Sequence, residues 1–290
     1  MDRLIEKAAV LIEALPYIQK FRGETVVVKF GGSIMEDEEG YARILQDIAF
    51  MECVGLRPVV VHGGGKAITR ALKDAGVESR FEHGLRVTDL ETIAVVERVL
   101  NREVNPRLVE ILQRFQGKAR GIHGEDVTRV ERLRKADPET GALRDWGYVG
   151  RVASVDVEPI RAFLRSEIIP VITPLGRGED GRLYNVNADD AAAAIACALN
   201  ARKLVFLTDV PGLLLDPADR SSLVSSLRLD QVDELVERGV ISGGMLPKIQ
   251  GMVDAVKAGI RKAHIIDSFS PHSLLLELFT AEGVGTEITK

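Results

Sequence analysis

Short runs of β-branched and other apolar residues recur along the chain, and each run is followed by a glycine turn or a longer amphipathic stretch. These runs predict buried strands at 25–30, 58–62, 119–122, 168–172, 203–207 and 263–266. The amphipathic stretches predict helices at 40–54, 65–76, 89–116, 158–166, 188–200, 229–238, 246–260 and 271–281. The last of these is expected to begin at Pro271, with Ser270 as its N-cap. Continuous apolar strands that alternate with helices are typical of an α/β fold with a mainly parallel sheet covered on both faces.

Residues 125–157 depart from this alternation because they are charged and rich in turn residues. A turn at 137–141 with alternating apolar positions after it predicts a β-hairpin or a small antiparallel excursion. The stretch 176–181 predicts a tight hairpin turn. We therefore expect one domain over 23–290 on one continuous sheet, with an N-lobe up to about residue 180 and a C-lobe from about residue 181.

Residues 3–20 precede the first strand and carry an apolar stripe at helical spacing. The stripe consists of Leu4, Ile5, Ala8, Leu11, Ile12, Leu15 and Ile18. Pro16 is expected to kink or break this helix near its end. The stripe packs either on its own domain or on another subunit, and the residues alone leave both interpretations open. Residues 1–22 are therefore set apart as an N-terminal kinked helix.

The composition indicates an ordered chain with a full core. Of the 290 residues, 46% are hydrophobic and 28% are charged, so neither disorder nor low complexity is indicated. The formal net charge is -5, and the sequence has no basic run. A protein whose main partner is a nucleic acid normally carries a basic face or a basic excess, so nucleic-acid binding is not expected.

Membrane insertion and disulfide bonding are not expected either. The longest uncharged apolar run, 191–199, falls far short of the ~20 residues that a membrane helix needs. The charged N-terminus does not fit a signal peptide, so the cytoplasm is the expected location. Cys53 and Cys197 lie in apolar helical patterns and predict buried structural thiols rather than a disulfide or a metal site.

Two glycine-rich turns follow predicted strands and are candidates for anion binding. Lys29 ends the first strand and is followed by Gly31 and Gly32, while His62 ends the second and is followed by the glycines 63–65. Glycine lets backbone N–H groups approach phosphate or carboxylate oxygens, and a lysine adds a fixed positive charge. The first pair is also compatible with a plain strand-to-helix turn. Neither turn matches the Walker P-loop or the dinucleotide fingerprint.

Further charged and amide side chains lie at the starts of predicted helices or on glycine loops. Arg86 lies on a loop that Gly84 precedes and can bind a carboxylate through two N–H groups, although a solvated arginine is the simpler interpretation. Asn187 is a candidate N-cap, and Asn185 and Asp189 flank it. Lys248 lies at a helix start, where it opposes the helix dipole and calls for an anionic partner.

Taken together, five motifs in this order resemble the amino acid kinase family and, within it, the acetylglutamate kinases. They are Lys-x-Gly-Gly at 29–32, His-Gly-Gly-Gly at 62–65, Gly-Leu-Arg-Val-Thr at 84–88, Asn-Val-Asn-Ala-Asp at 185–189 and Gly-Gly-Met-x-x-Lys at 243–248. The resemblance extends from Lys29 to Thr286. It implies an open αβα sandwich of two lobes, with ATP on the C-lobe and the amino acid in the N-lobe. Both ligands would bind at the carboxyl ends of strands, as is general for open α/β sheets.

The resemblance also implies roles for individual residues. The catalytic residues would be Lys29 and Lys248, which stabilise the transferring phosphoryl group, and Asp189, which positions both lysines. The residues implied to bind acetylglutamate are Gly64, Gly65, Arg86 and Asn185. The residues implied to border ATP are Gly31, Gly32, Asp209, Gly212, Gly243 and Met245.

The implied reaction makes few demands on the protein. The nucleophile would be the side-chain carboxylate of the substrate, which is ionised at neutral pH because a free glutamate carboxyl titrates near pKa ~4.3. No general base is then needed. Mg²⁺ would be held mainly by the ATP phosphates and by water, so no protein metal ligands are expected.

Arginine-inhibited hexamers among the acetylglutamate kinases carry an additional N-terminal helix, which residues 3–20 resemble. The implied assembly is a trimer of dimers, and the implied function is the second step of arginine biosynthesis under feedback inhibition. The implied arginine-binding residues are Tyr17, Lys203, His264, Glu277, Gly283 and Gly285. The alternative is an unregulated dimer with a locally packed helix.

Rival interpretations share the fold or part of it. A kinase for carrier-bound aminoadipate or glutamate would keep the lysines, and a non-catalytic amino-acid sensor would have lost one of them or Asp189. A dinucleotide oxidoreductase lacks its fingerprint here. Lys66 and the residues 124–126 are not typical of the family, and they place the charged hairpin in question more than the core chemistry.

Overall fold

The computed structural model describes residues 2–136, 143–280 and 283–290. Its strands are β1 (Thr25–Phe30), β2 (Arg57–His62), β3 (Phe81–Glu82), β4 (Leu85–Arg86), β5 (Ala119–Ile122), β6 (Thr128–Ala136), β7 (Leu143–Val155), β8 (Ile169–Ile172), β9 (Leu175–Gly178), β10 (Leu183–Val186), β11 (Lys203–Thr208), β12 (Ser226–Arg228), β13 (Lys262–Asp267) and β14 (Thr286–Thr289). Its α-helices are α1 (Asp2–Phe21), α2 (Glu38–Cys53), α3 (Gly65–Asp74), α4 (Leu90–Glu97), α5 (Asn105–Arg114), α6 (Gly124–Val127), α7 (Glu158–Arg165), α8 (Ala188–Leu199), α9 (Val232–Glu237), α10 (Met245–Lys257) and α11 (Ser273–Phe279).

The main sheet has eight strands among the described residues, in the order β12-β14-β13-β11-β1-β2-β8-β5. Neighbouring strands pair in parallel, apart from β14, which runs antiparallel to β13. All six predicted strands lie in this sheet. The α/β class with a mainly parallel sheet is therefore confirmed.

Helices cover both faces of the sheet. Along β1, Val27 joins a core cluster with residues of α8 and α10, whereas Val26 and Val28 join a second cluster with residues of α2, α5 and α11. Successive side chains of a strand point to opposite faces, so a strand buried on both sides must be apolar throughout. This is why the runs of β-branched residues located the central strands.

The charged middle of the chain forms a separate small barrel from β6, β7, β9 and β10. The β6–β7 pair is antiparallel, as is the β9–β10 pair, so both predicted hairpins are confirmed. The predicted turn at 137–141 lies outside the described residues. The expectation of one continuous sheet is wrong for this region, because these strands pair with one another and close on themselves, which leaves no unpaired edge.

Two helix predictions need correction. The segment predicted as one helix over 89–116 contains α4, a π-helical turn at Arg98–Val104, and α5. The last helix, α11, begins at Ser273 rather than Pro271, and its N-cap is His272 with a left-handed φ of 56°. The Ser-Pro pair therefore belongs to the turn before the helix.

The first helix, α1, continues through Pro16 to Phe21, so a break at the proline is not seen. Its C-terminal part packs on the chain's own core through Ala14, Tyr17 and Ile18. Ile5, Val10 and Ile12 are 60%, 64% and 68% exposed. The helix thus satisfies the local-packing interpretation at one end and leaves apolar side chains uncovered at the other.

The two cysteines differ in their exposure. Cys53 is exposed, so the expectation that it is buried is wrong, because the last residue of α2 lies on the outer side of the helix; Cys197 is half-buried. None of the described helices combines the length and the apolar character that crossing a membrane requires.

Candidate active site

The two glycine turns meet at the carboxyl edge of the main sheet because β1 and β2 are adjacent and parallel. A Cβ atom added to Gly31 would lie 3.1 Å from the Cα of Gly63, and one added to Gly63 would lie 3.1 Å from the Cα of Gly31. Each contact is tighter than backbone atoms tolerate without moving. Glycine at both positions therefore lets the two turns touch without a shift of either backbone.

Two lysines from distant parts of the chain converge on one carboxylate. Lys29 Nζ at the end of β1 lies 2.6 Å from Asp189 Oδ1, and Lys248 Nζ in the first turn of α10 lies 2.8 Å from Asp189 Oδ2. Asp189 is held in the first turn of α8, where Asn187 is the N-cap and accepts from the N–H of Asp189 at 2.8 Å. The predicted catalytic residues are thus brought together, and the anionic partner expected for Lys248 is Asp189.

The ionisation of Asp189 follows from these neighbours. Burial alone would raise the pKa of its carboxyl, but the positive charges of Lys29 and Lys248 outweigh that effect and lower the pKa from 3.8 to about 2. The carboxylate is therefore ionised throughout the physiological range. Each of its two oxygens contacts one ammonium group.

A cleft of about 370 Å³ opens beside this triad. The four residues predicted to bind the amino acid, Gly64, Gly65, Arg86 and Asn185, all line it, as do Lys29, Gly32 and Asp189. Sequence reasoning missed its apolar walls, which include Ile68, Phe81, Leu100, Val149 and Pro174. Leu100 lies in the π-helical turn, for which the hydrophobic pattern carries no signal, and Val149 lies in the small barrel.

Arg86 is a fixed part of the cleft and not a solvated side chain. It is 5% exposed, and its guanidinium donates to Gly65 O at 3.0 Å, to Thr69 Oγ1 at 2.8 Å and to Ser79 Oγ. The guanidinium also lies over the ring of Phe81, 4.5 Å from its centroid. Burial lowers the pKa of Arg86 from its usual value. The arginine is thereby preorganised at the mouth of the cleft, where a carboxylate can complete its contacts.

The residues predicted to border ATP have different surroundings and do not all line one cleft with the catalytic residues. Gly32 has a φ of +77° and faces Asp209, whose carboxylate accepts from Ser33 Oγ at 2.8 Å. Gly243 has a φ of +54° and lies in open space. Gly212 is explained by packing, since a Cβ there would lie 2.6 Å from Thr286 Oγ1.

Met245 begins α10, three residues before Lys248. It packs against the core cluster that contains Val27 and residues of α8 and α10. Among the described residues, no group of three or more His, Cys, Asp or Glu side chains could hold a metal ion.

A second cleft, of about 620 Å³, lies between α1 and the C-terminal strands. All six residues predicted to bind arginine line it, namely Tyr17, Lys203, His264, Glu277, Gly283 and Gly285. Lys20, Phe21, Arg261 and Lys262 also line it and were not predicted. Lys20 and Phe21 lie one helical turn from Tyr17, which was predicted, so helical spacing could have identified them.

A buried network holds the acidic end of the second cleft. Glu277 Oε1 lies 2.6 Å from His264 Nδ1, and Glu277 Oε2 accepts from the N–H groups of Val284 at 2.7 Å and Gly285 at 3.0 Å. Burial would raise the pKa of Glu277, but these contacts outweigh it, and the pKa is lowered. His264 Nε2 is buried and has no hydrogen-bond partner within the described part of the chain.

The basic end of the second cleft contains Lys203, which is 7% exposed and lies 5.1 Å from the ring centroid of Phe21. Burial lowers its pKa to about 8, although Glu277 acts in the opposite direction. The carboxylate of Glu277 and the ammonium group of Lys203 therefore line the same cleft.

Three of the residues that departed from the family pattern, Lys66, Gly124 and Glu125, have structural explanations. Lys66 forms an ion pair with Glu36 at 3.4 Å. A Cβ at Gly124 would lie 2.0 Å from the carbonyl oxygen of Thr173, so glycine is required there. Glu125 is buried and accepts from Asn101 Nδ2 at 2.8 Å.

Comparisons with known proteins agree with this geometry. The model of the amino acid kinase family matches residues 24–267. The chain is 49% identical to the acetylglutamate kinase of Heliobacterium modesticaldum over 295 residues, covering 100% of both chains. It is also 49% identical to the acetylglutamate kinase of Thermoanaerobacter pseudethanolicus over 286 residues, covering 99% of this chain and 94% of that protein.

Solved structures show the same fold. The N-acetylglutamate synthase of Neisseria gonorrhoeae, complexed with coenzyme A and N-acetyl-glutamate, matches with a TM-score of 0.84 and 28% identity. The match covers 98% of this chain but 63% of the synthase, so this chain spans less than two thirds of that protein. The carbamate kinase of Giardia lamblia, bound to AMP-PNP, matches with a TM-score of 0.68 at 17% identity, covering 92% of this chain and 99% of that chain.

Proposed function

This chain belongs to the amino acid kinase family and, within it, to the acetylglutamate kinases, and we propose that its first cleft transfers the γ-phosphoryl group of ATP to the side-chain carboxylate of N-acetylglutamate. The observation that carries this proposal is the contact of Lys29 and Lys248 with the single carboxylate of Asp189. Two ammonium groups held 2.6 and 2.8 Å from one anchor are positioned before the substrates bind. Preorganised charge of this kind stabilises charge that develops in a transition state.

The reaction consists of an in-line displacement. An oxygen of the substrate carboxylate attacks the γ-phosphorus, the bond to the bridging oxygen of ADP breaks, and the product is an acyl phosphate. Lys29 and Lys248 lie on either side of Asp189, so they can neutralise the non-bridging oxygens and the leaving oxygen. Mg²⁺ bound through the ATP phosphates would neutralise part of their remaining charge.

The walls of the cleft support an acylated amino acid as the substrate. Arg86 can bind the α-carboxylate, and Asn185 can bond to the amide. Ile68, Leu100 and Val149 provide apolar contacts for an acyl methyl group. A free α-ammonium group would have to lose water beside these walls without gaining a partner, which is costly.

Acyl-phosphate formation tests this proposal. Hydroxylamine traps acyl phosphates as hydroxamates, and the assay is run with MgATP and acetylglutamate, glutamate, aspartate or aminoadipate. We expect acetylglutamate to give hydroxamate at a rate far above the others. Equal or faster turnover of aspartate, or of a carrier-bound aminoadipate or glutamate, would refute the assignment.

We further propose that the second cleft binds arginine and that arginine inhibits the enzyme. The support is the chemistry of the lining: Glu277 offers a carboxylate to a guanidinium group, and Lys203 offers an ammonium group to the α-carboxylate. His264, which lies 2.6 Å from Glu277, lines the same cleft. Inhibition requires arginine to bind a less active state more tightly than the active one.

The N-terminal helix is proposed to join dimers into a ring. Ile5, Val10 and Ile12 are exposed on α1, and a second copy of this helix could cover them. Tyr17, on the same helix, lines the second cleft, so the assembly and the arginine site share one element. The proposed organisation is an oligomerising segment over 1–22 and a two-lobed cytoplasmic kinase over 23–290, assembled as a trimer of dimers.

Truncation tests the ring and its link to regulation. The full chain and a chain that begins at Arg22 are sized and assayed with and without arginine. We expect a hexamer that arginine inhibits for the former, and an uninhibited dimer for the latter. A dimeric full chain, or unchanged inhibition after truncation, would contradict the proposal.

A further inference from the structure

His62 is fully buried at the end of β2, directly before the glycine turn of the active site, and the phosphoryl transfer described above does not use it. Burial lowers the pKa of His62 to about 4, although its contact with the backbone of Gly63 acts in the opposite direction. The imidazole is therefore neutral at pH 7. A neutral imidazole has one nitrogen that donates and one that accepts, so its role depends on which nitrogen carries the proton.

The surroundings of His62 determine that tautomer. Asn105 Nδ2 lies 2.9 Å from the carbonyl oxygen of Val171, an acceptor only, so the amide nitrogen must point that way. The same nitrogen lies 3.1 Å from His62 Nε2 and donates its second hydrogen to it. The proton of the ring must then be on Nδ1, which lies 2.9 Å from the carbonyl oxygen of Gly63 and donates to it.

This hydrogen bond fixes the plane of the peptide between Gly63 and Gly64. In a trans peptide the C=O and the N–H point in opposite directions. With the carbonyl of Gly63 directed at the imidazole, the N–H of Gly64 is directed away from it. Gly63, Gly64 and Gly65 all line the active-site cleft, and Gly64 is the N-cap of α3, where N–H groups have no acceptor within the helix.

Asn105 is in turn held by its place in the fold. It is 3% exposed and begins α5 directly after the π-helical turn that carries Leu100 into the cleft. On its other side lies Gly121 of β5, where an added Cβ would be 2.2 Å from Asn105 Oδ1. The glycine therefore leaves the room that the amide occupies. Val171, Gly121 and Asn105 together form a rigid backing for the imidazole.

We propose that His62, locked in one tautomer by Asn105, is a positioning residue that aims the Gly64 N–H at the group being transferred. This inference rests on the proposed phosphoryl transfer, because the N–H is useful only if an anionic oxygen develops in the cleft. A purely structural histidine would satisfy buried polar groups and stabilise the fold without affecting the rate of the folded enzyme. The two roles therefore differ in kcat and not in stability.

A matched pair of substitutions separates these roles. In His62→Asn the side-chain amide can still donate from the position of Nδ1, but it cannot reach Asn105. In His62→Gln the longer side chain can still accept from Asn105, but the donor to Gly63 is lost. Each variant loses one buried hydrogen bond. If His62 had only a structural role, both variants would lose the same amount of stability and both would keep the wild-type kcat.

The hydroxamate assay with acetylglutamate reads out the difference. We expect His62→Gln to lower kcat on the order of 10- to 100-fold, less than the 10²–10³ that follows outright removal of such a donor. His62→Asn should retain kcat within about threefold. The KM for ATP should stay within about twofold in both variants, because an interaction made only in the transition state changes kcat and leaves KM unchanged. Full activity in His62→Gln, or equal loss in both variants, would overturn the positioning role.

Two further measurements do not depend on substituting His62. Gly121→Ala should displace Asn105 and lower kcat, whereas Gly251→Ala, where an added Cβ meets nothing within 4 Å, should not. Nitrogen NMR of the wild-type imidazole should show a protonated Nδ1 and an unprotonated Nε2, and a proton on Nε2 would overturn the proposal even if the variants failed to fold. A wild-type protein that forms no hydroxamate would instead refute the proposed function.

Discussion

Replacing Asp189 by asparagine removes the carboxylate that contacts both active-site lysines while keeping the shape of the side chain. The amide oxygen can still accept from one ammonium group, but the amide nitrogen is itself a donor and must face the other. The side chain of Lys29 is 10% exposed and that of Lys248 is 28% exposed. Because water can replace less of the lost interaction at Lys29, the loss of the carboxylate charge destabilises the Lys29 ammonium group more. Asp189→Asn should therefore affect both stability and activity.

The stability effect follows from the pKa of Asp189. Its folded-state pKa of about 2 lies below the usual value of 3.8, so the charged form stabilises the fold above pH 3.8, and this contribution is lost as the pH falls towards about 2. The difference, 3.8 minus about 2, corresponds to about 2 kcal/mol at pH 7. We expect the substitution to lower the free energy of unfolding by about that amount and the melting temperature by a few degrees.

The activity effect should be larger. Lys29 and Lys248 would no longer be held in one geometry, and a loss of kcat on the order of 10²–10³ is expected, as for other preorganised charge-stabilising groups. Asp233→Asn is the matched control, because Asp233 also lies in the first turn of a helix, α9, and is exposed. Both proteins are compared by thermal unfolding and by hydroxamate formation. If Asp189→Asn retains wild-type kcat, or matches the control, Asp189 does not position the lysines as described.

Three further predictions follow from other contacts. Lys248→Ala should lower kcat on the order of 10²–10³, measured by hydroxamate formation, and lower the melting temperature less than Asp189→Asn does, because Lys29 still pairs with Asp189; normal kcat would remove the lysine from the mechanism. Glu277→Gln should raise the arginine concentration for half-inhibition at least about tenfold without changing kcat, because a guanidinium loses its anionic partner; unchanged inhibition would place arginine elsewhere. Burial raises the pKa of Asp47 from 3.8 to about 6 despite its contact with His272, so the free energy of unfolding should fall by about 3 kcal/mol as the pH rises from below 3.8 through 6. Urea unfolding across that range should show this fall in the wild type and not in Asp47→Asn, and parallel curves would contradict it.

The central strands and the cluster of active-site motifs were predictable because their causes are local. A strand buried on both faces, such as β1, must be apolar at every position, and its carboxyl end must lie beside that of its parallel neighbour β2. The N-cap role of Asn187 and the need of Lys248 for an anion are equally local, since both follow from the helix start.

Other features depend on contacts between residues far apart in the sequence, and the pattern carries no signal for them. The small barrel closes through the pairing of β6 with β9, and the bond between His62 and Asn105 joins positions 43 residues apart. The exposure of Cys53 depends on what covers the end of α2. Arg86 appeared solvated in sequence because it lies in β4, whereas Thr69 and Gly65, which hold it, lie in α3, 17 and 21 residues away.

In the proposed reaction a side-chain carboxylate oxygen of acetylglutamate becomes bonded to the γ-phosphorus of ATP, and isotope labelling can detect that bond. Acetylglutamate carrying oxygen-18 in its side-chain carboxylate is incubated with the full-length protein and MgATP, and phosphorus NMR of the acyl phosphate is recorded before hydrolysis. We expect one heavy oxygen bonded to the transferred phosphorus, seen as an isotope shift, and a greatly reduced rate of acyl-phosphate formation in Lys248→Ala. Consumption of ATP without a labelled acyl phosphate, or an acyl phosphate whose phosphorus shows no isotope shift, would contradict the proposed reaction.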